Sequence, residues 1–430
     1  MTAPAARVPP SPITAPARET SLWHSQAHMP TVKQSERVIV RGEGAYVWTD
    51  DGQRLLDLPA SLWYCNVGHG RREIADAVGA QMVTLAAYST FQQYATRPAL
   101  DLAERVADLA PVPDAKVFFT SGGSDAVDLT AKLVRRYWSA VGQPAKRTIV
   151  TREEAYHGLH AFGTSIAGIE ANREGYGTLV AETARVATND AAALEALVQE
   201  QGADTIAAFF CEPVVGTGGV VLPADGYLQA VERICRAHDI LFVVDEVITG
   251  FGRTGEMFAS SRYSLTPDVI LAAKGITSGY LPLGAAIIGE RVWAPFWADG
   301  SELVFRHGLT YAGHASACAA GLANLDILEN EQLVPRVREM EGVLEAALQP
   351  LASHPLVKEV RAGVGLLGAV ELHERAAATQ VAEHCVQQGV LGRQLNDGAL
   401  HISPPFVITP TEIRQAATVI ASGLDELAAG

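Results

Sequence analysis

The stretch PDVILAAKGITSGYLPLGA, residues 267–285, decides how this chain is read. An apolar run, DVILAA (268–273), ends on Lys274, and Gly275 follows at once. Uninterrupted Val, Ile and Leu mark a strand buried on both faces. A lysine closing such a run is partly withdrawn from water. Desolvation disfavours the ammonium form, lowers the pKa and favours a neutral, nucleophilic amine. A lysine taken alone is most often a surface residue, so the strand end is what sets Lys274 apart.

Working outward, five more runs have the same character: KVFFT (116–120), RTIVT (147–151), TIAAFFCEP (205–213), ILFVVDE (240–246) and LGAAIIG (283–289). Amphipathic patterns such as DAVDLTAKLVRRYW and GYLQAVERICRAHD lie between them. The alternation predicts an α/β fold, a mainly parallel sheet covered on both faces, with ligands at the carboxyl ends of the strands. After residue 325 the pattern changes to helices and short strands, VKEVRAG, LLGAVEL, VLGRQL and LHISP, and Thr409-Pro410-Thr411-Glu412 opens a last helix with capping-box spacing. The expected organisation is an arm over 1–22, a segment 23–69 that contributes strands near 37–58 to a small α+β domain, a large domain over 70–325, and the small domain proper over 326–430.

Composition narrows the function. A net charge of −15, with no basic stripe, argues against nucleic-acid binding, which needs clustered Lys and Arg. No apolar run approaches the ~18 residues of a membrane span. The first residues, MTAPAARVPPSPITAPARET, lack an apolar centre and read as a flexible arm rather than a signal peptide. Cys65, Cys211, Cys235, Cys318 and Cys385 are odd in number and scattered, without CxxC spacing, which suits a reducing cytosol. A soluble cytoplasmic protein is expected.

Polar residues at strand ends carry the candidate chemistry. Asp245 ends ILFVVD; it is either a solvated terminus or an anion facing a ring nitrogen, which would keep a pyridine protonated and electron-accepting. Ser121-Gly122-Gly123-Ser124 lies between KVFFT and a helix, where small residues and helix-start N–H groups favour phosphate. Tyr156 in Tyr156-His157-Gly158 is positioned either to stack on a planar cofactor or to pack in the core. His157 and His160 lack acidic or cysteine partners in sequence, which argues against a metal. Two stretches, Gly250–Gly255 and Gly363–Gly368, satisfy GxGxxG, but the second runs into a strand and the first lies far from the start of the α/β pattern, so a nicotinamide site is a remote alternative.

Taken together, SLWYCNVGHGRRE (61–73), VFFTSGGSDAV (117–127), AYHG (155–158), CEPVVGTGG (211–219), VVDEVITGFGRTG (243–255), residues 267–285, HGLTYAGH (307–314) and ISPPFVIT (402–409) resemble the class III (omega) aminotransferases of pyridoxal-phosphate fold type I, over residues 23–427. The first segment is most similar to the branch that uses pyruvate as acceptor. The resemblance implies pyridoxal 5′-phosphate as cofactor, Lys274 as its Schiff-base lysine and Asp245 as the partner of its pyridine nitrogen. It further implies Val247 and Tyr156 on the two cofactor faces, and Gly123 and Ser124 as the phosphate cup. Thr310 would reach the phosphate of a neighbouring subunit, hence a homodimer with shared sites, whether or not dimers assemble further into a tetramer. Glu212 is implied near the cofactor without an assigned role. Trp63, Leu62, Phe91 and Leu309 would wall the substrate pocket, and Arg393, otherwise a surface arginine near a strand end, would bind a carboxylate with its planar fork. The sequence departs from the family pattern in its phosphate loop, with Gly122 and Asp125, and in Ala315 where proline is usual.

The function implied is transfer of an amino group from an amine or amino acid to a 2-oxo acid, pyruvate foremost, by a ping-pong mechanism. The same framework also supports racemases, aminomutases and decarboxylases, because sequence does not fix which substrate bond lies perpendicular to the cofactor ring.

Overall fold

The apolar runs pair into one seven-stranded sheet in the order Lys116–Thr120, Gly284–Ile288, Val269–Ala272, Leu241–Asp245, Ile206–Cys211, Thr148–Arg152 and Thr183–Val186. The computed structural model describes residues 20–429, so most of the expected arm lies outside the described residues. Every neighbouring pair is parallel except those of Gly284–Ile288, which runs antiparallel to both its neighbours. The connections explain this. Helices Gly123–Ala140, Ala161–Ile166, Ala191–Gln201, Tyr227–Ala237 and Ala259–Arg262 lie between strands that follow one another in the chain and run the same way, whereas residues 273–283 hold only the short 3₁₀ turn Lys274–Ile276, too little chain for a helical crossover. The edge strand Thr183–Val186 was not anticipated, since TARV carries no apolar run.

Both faces of the sheet are buried with the two-residue period of a strand. Val269 and Leu271 join a core with Leu241, Val243, Val127 and Val134, while Ile270 and Ala272 join the opposite core with Leu102, Val106 and Ile276. The strands therefore end at a floor that cannot shift without disturbing two cores.

Strands Ile39–Glu43, Tyr46–Thr49 and Arg54–Asp57 form a meander, and the C-terminal strand Val390–Leu391 adds to it in parallel, Leu56 opposite Val390 and Asp57 opposite Leu391. A second small sheet joins Val357–Val364, Leu367–Leu372, Ala399–Ile402 and Arg393–Gln394, with Arg393 opposite His401. Helix Ala315–Asn330 runs unbroken across residue 325, so chain on the two sides of the expected domain division is continuous helix rather than linker. The last helix, Pro410–Ala429, starts with the capping box: the Thr409 N–H donates to Glu412 Oε2 at 2.7 Å, and the Glu412 N–H donates to Thr409 Oγ1 at 3.3 Å.

The two GxGxxG stretches pack against each other. Gly365 has φ +54°, and a Cβ there would lie 2.2 Å from the Arg253 carbonyl oxygen, which accepts from the Leu366 N–H at 3.1 Å. The buried Arg253 guanidinium donates to Asn66 Oδ1 (2.8 Å), Ser403 O (3.0 Å) and Pro404 O (2.6 Å), tying the loop after Leu241–Asp245 to the C-terminal part. Neither stretch opens directly into a helix, so the glycines permit close backbone approach and do not cradle a dinucleotide.

Candidate active site

A cavity of about 470 Å³ opens at the carboxyl ends of the central strands. Lys274, Asp245, Val247, Glu212, Tyr156, Gly123, Ser124 and Leu62 all line it. Lys274 follows its strand by two residues and has φ +45°, a conformation that swings the chain off the sheet end. Its side chain opens onto the cavity, yet the walls around it are dense protein. Burial lowers its pKa to about 8, against the opposing pull of Asp245 and Glu212, and Arg393 lowers it further. The neutral amine is therefore within reach near neutral pH. Protein stripped of cofactor is expected to recapture it at a rate that rises about tenfold per pH unit below pH 8 and levels off above it, followed by the visible absorbance of the lysine-bound form. A rate flat from pH 6 to 9 would count against this.

Asp245 is fixed from two sides. The Val247 N–H donates to Oδ1 at 3.0 Å, and His157 Nδ1 hydrogen-bonds to Oδ2 at 2.7 Å. His157 is itself buried, with Nε2 2.9 Å from Thr151 Oγ1. This histidine, which sequence reasoning considered only as a weak metal ligand, is the partner that orients the carboxylate. No group of three or more potential metal ligands occurs among the described residues.

Glu212 also has a definite role in the geometry. Its carboxylate accepts from the Tyr156 N–H (3.1 Å) and the Gly216 N–H (2.9 Å), and burial raises its pKa. It fixes the backbone from which the Tyr156 ring enters the cavity.

The residues fit pyridoxal phosphate on observations independent of the motif. Helix Gly123–Ala140 begins at the cavity, and no side chain caps its first N–H groups. Those donors, with the helix dipole, form an anion site at one end. A Cβ on Gly123 would lie 3.0 Å from the Val247 methyls, so glycine lets the helix start pack closely against Val247. Tyr156 stands among the other lining residues, and Asp245 and Lys274 complete the set.

Trp63 and Arg393 do not line this cavity but pack together beside Lys274. The Arg393 guanidinium lies 4.6 Å from the Trp63 ring centroid, and Lys274 Nζ lies 5.9 Å from it. Arg393 Nη1 is buried without a hydrogen-bond partner among the described residues. Phe91, Leu309 and Thr310 likewise do not line the cavity of their own chain. Phe91 is 49% exposed and packs beside Gly308, and Thr310 is exposed. Sequence reasoning passed over Tyr64 and Thr277, which line the cavity, as does Ser121 of the expected phosphate turn.

A sheet-end lysine, a paired aspartate and an uncapped helix start define a pyridoxal-phosphate site, and the chain belongs to the class III aminotransferases: the family model described as Aminotransferase class-III matches residues 28–424. Its relatives include the putrescine–pyruvate aminotransferase of Pseudomonas aeruginosa, 37% identical over 92% of both chains. The omega-amino acid–pyruvate aminotransferase of Pseudomonas putida is 38% identical over 79% of this chain and 80% of its own. Among solved structures, the PLP-bound amine transaminase from an uncultivated Pseudomonas species superposes with a TM-score of 0.91 at 35% identity, covering 95% of this chain and 99% of that one. The chain is thus a pyridoxal-phosphate-dependent aminotransferase of fold type I.

Proposed function

We propose that this enzyme moves an amino group from a small amine or amino acid to pyruvate, with Lys274 as the catalytic residue. The orphaned Nη1 of Arg393 carries the acceptor reading. A buried guanidinium donor without a partner, beside an aromatic wall and near Lys274, suits the carboxylate of a 2-oxo acid, which its fork can bind bidentately. The named activities of the two Pseudomonas relatives support pyruvate as that acid.

Bound in the cavity, pyridoxal phosphate supplies an electron-accepting ring and carries nitrogen between the two half-reactions. Lys274 Nζ takes the proton from the substrate carbon that bears nitrogen, and later returns it. The Asp245 carboxylate, held by His157 and Val247, would pair with the ring nitrogen and keep it protonated. Gly123 and Ser124 would bind the phosphate, and Tyr156 and Val247 would hold the ring. Trp63 and Leu62 limit the space for the substrate's substituents.

Thr310, Phe91 and Leu309 belong to a neighbouring site in this reading. Exposed Tyr88, Phe91, Tyr94 and Tyr311 make an apolar surface suited to a second copy, through which Thr310 reaches the partner's phosphate. The five cysteines are all buried and free, which fits a reducing compartment and supports a cytoplasmic enzyme. Among the described residues no helix is long and apolar enough to cross a membrane.

Adding alanine to the purified holoenzyme is expected to bleach the lysine-bound cofactor band and release pyruvate; an unchanged spectrum would remove alanine, and with it pyruvate, from the reaction. Arg393→Ala is expected to raise the KM for pyruvate roughly 10- to 100-fold, the loss of about one charge-assisted hydrogen bond or two. An amine donor without a carboxylate should be affected far less in its half-reaction. Equal losses in both half-reactions would assign Arg393 to structure rather than to carboxylate binding.

A further inference from the structure

Trp63 ends a turn whose backbone is held where L-residues rarely sit. Ala60, Ser61 and Trp63 have φ of +45°, +59° and +62°, and Ser61 has ψ −87°. Such conformations persist only where surrounding contacts over-determine them. Here the contact is Asp57. Its Oδ1 and Oδ2 accept from the Ser61 N–H at 3.0 and 2.9 Å, and His69 Nε2 hydrogen-bonds to Oδ2 at 2.8 Å. Asp57 is 1% exposed, so this carboxylate is a buried group with defined partners rather than a solvated surface charge.

Two further observations connect this clamp to substrate. Asp57 ends the strand Arg54–Asp57 and pairs with Leu391, two residues before Arg393, which opens a strand of the second small sheet, so one residue of chain separates the strand beside the clamp from the arginine. The turn then brings the Trp63 indole against Arg393, at 4.6 Å, and against the His401 ring, at 4.2 Å and 36°, with Lys274 Nζ 5.9 Å from its centroid. His401 is in turn the cross-strand partner of Arg393. Neither Asp57 nor His69 lines the cavity, so any influence they have on substrate passes through the turn.

We propose that Asp57 is a positioning residue for substrate selection: oriented by His69, it holds the strained Ala60–Trp63 turn so that the Trp63 indole stays against Arg393 and His401 and limits the bulk a donor can bring beside Lys274. The inference rests on the reading of Trp63 and Arg393 as the substrate wall. Without the carboxylate the turn relaxes toward ordinary backbone geometry, the indole leaves its stack, and Arg393 loses the surface that orients its fork.

The test compares wild-type, Asp57→Asn, His69→Gln and Trp63→Ala holoenzymes on unbranched donors of increasing bulk at the reacting carbon, with pyruvate as acceptor and cofactor content measured by absorbance. Asp57→Asn is expected to raise the ratio of kcat/KM for the bulkiest donor to that for the smallest by about fivefold or more, within the range that a few methylenes command in a pocket. The KM for pyruvate should rise by a larger factor than kcat falls. His69→Gln should shift both in the same direction by less. In a Trp63→Ala background Asp57→Asn should add nothing, because the two act through one element. If Trp63→Ala changes the ratio while fully loaded Asp57→Asn and His69→Gln do not, or lower kcat equally for every donor, Asp57 serves the fold alone and the inference is overturned. If Trp63→Ala leaves the ratio unchanged, the substrate-wall reading falls, and this inference with it. Should Asp57→Asn fail to load cofactor, His69→Gln decides between the same two outcomes.

Discussion

Lys274→Ala is expected to lower kcat by about 10⁴-fold or more, since in the proposed mechanism one residue supplies both the covalent attachment and the proton transfer, and a positioned general base alone contributes up to about that factor. The protein should still fold and retain cofactor non-covalently. The helix start at Gly123, the carboxylate of Asp245 and the ring of Tyr156 are untouched by the change, and the side chain removed ends in a cavity rather than in a core. The visible band should move, because the lysine-bound chromophore is absent, while thermal stability stays close to that of the parent without cofactor. Multiple turnovers at more than a few per cent of the wild-type rate would remove Lys274 from the mechanism.

Asp245→Asn is expected to cost about 10²- to 10³-fold in kcat/KM, the range for removing one preorganised electrostatic group from a buried site. The substitution keeps an oxygen acceptor for the Val247 N–H and sets an amide NH2 opposite His157 Nδ1, which accepts from it in the other ring tautomer, so folding should be preserved. Asp245→Ala differs in an informative way. It leaves the fully buried His157 donor without its partner, which costs about 1–3 kcal/mol and should lower the melting temperature as well as activity. Stability equal in the two variants would mean that the His157–Asp245 contact contributes little to the fold. Activity equal to wild type in Asp245→Asn would mean that the carboxylate does not face the cofactor nitrogen.

The parts of this site that were legible in the sequence are those written in contiguous residues. Lys274 and Asp245 each close an apolar run, and a run of that kind has only one end at which a ligand can sit. The phosphate end was legible because Ser121–Ser124 combines small residues with the start of a periodic helix. The capping box at Thr409 and Glu412 is likewise local.

What escaped depends on distance in the chain. His157 lies 88 residues from Asp245, and nothing in Tyr156-His157-Gly158 announces the pairing that the parallel strands bring about. Glu212 was noticed in its motif, yet its contact is with a backbone N–H, which no side-chain pattern encodes. The GxGxxG stretches resemble phosphate loops because both uses of glycine answer the same need, close approach of backbone to another group; here that group is backbone. Strand Thr183–Val186 sits at a sheet edge, where one flank is open and an apolar run is not required. Phe91, Leu309 and Thr310 cannot be placed against the cavity from one chain, since their surface faces outward.

The measurement that tests the central claim most directly is reduction of the purified holoenzyme with borohydride, followed by peptide mass mapping. The account predicts a single stable adduct of the mass of reduced pyridoxal phosphate, carried by the peptide containing Lys274, and its loss if the enzyme is first treated with an amino donor in the absence of acceptor. An adduct on a different lysine, or none on a fully loaded enzyme, would contradict it.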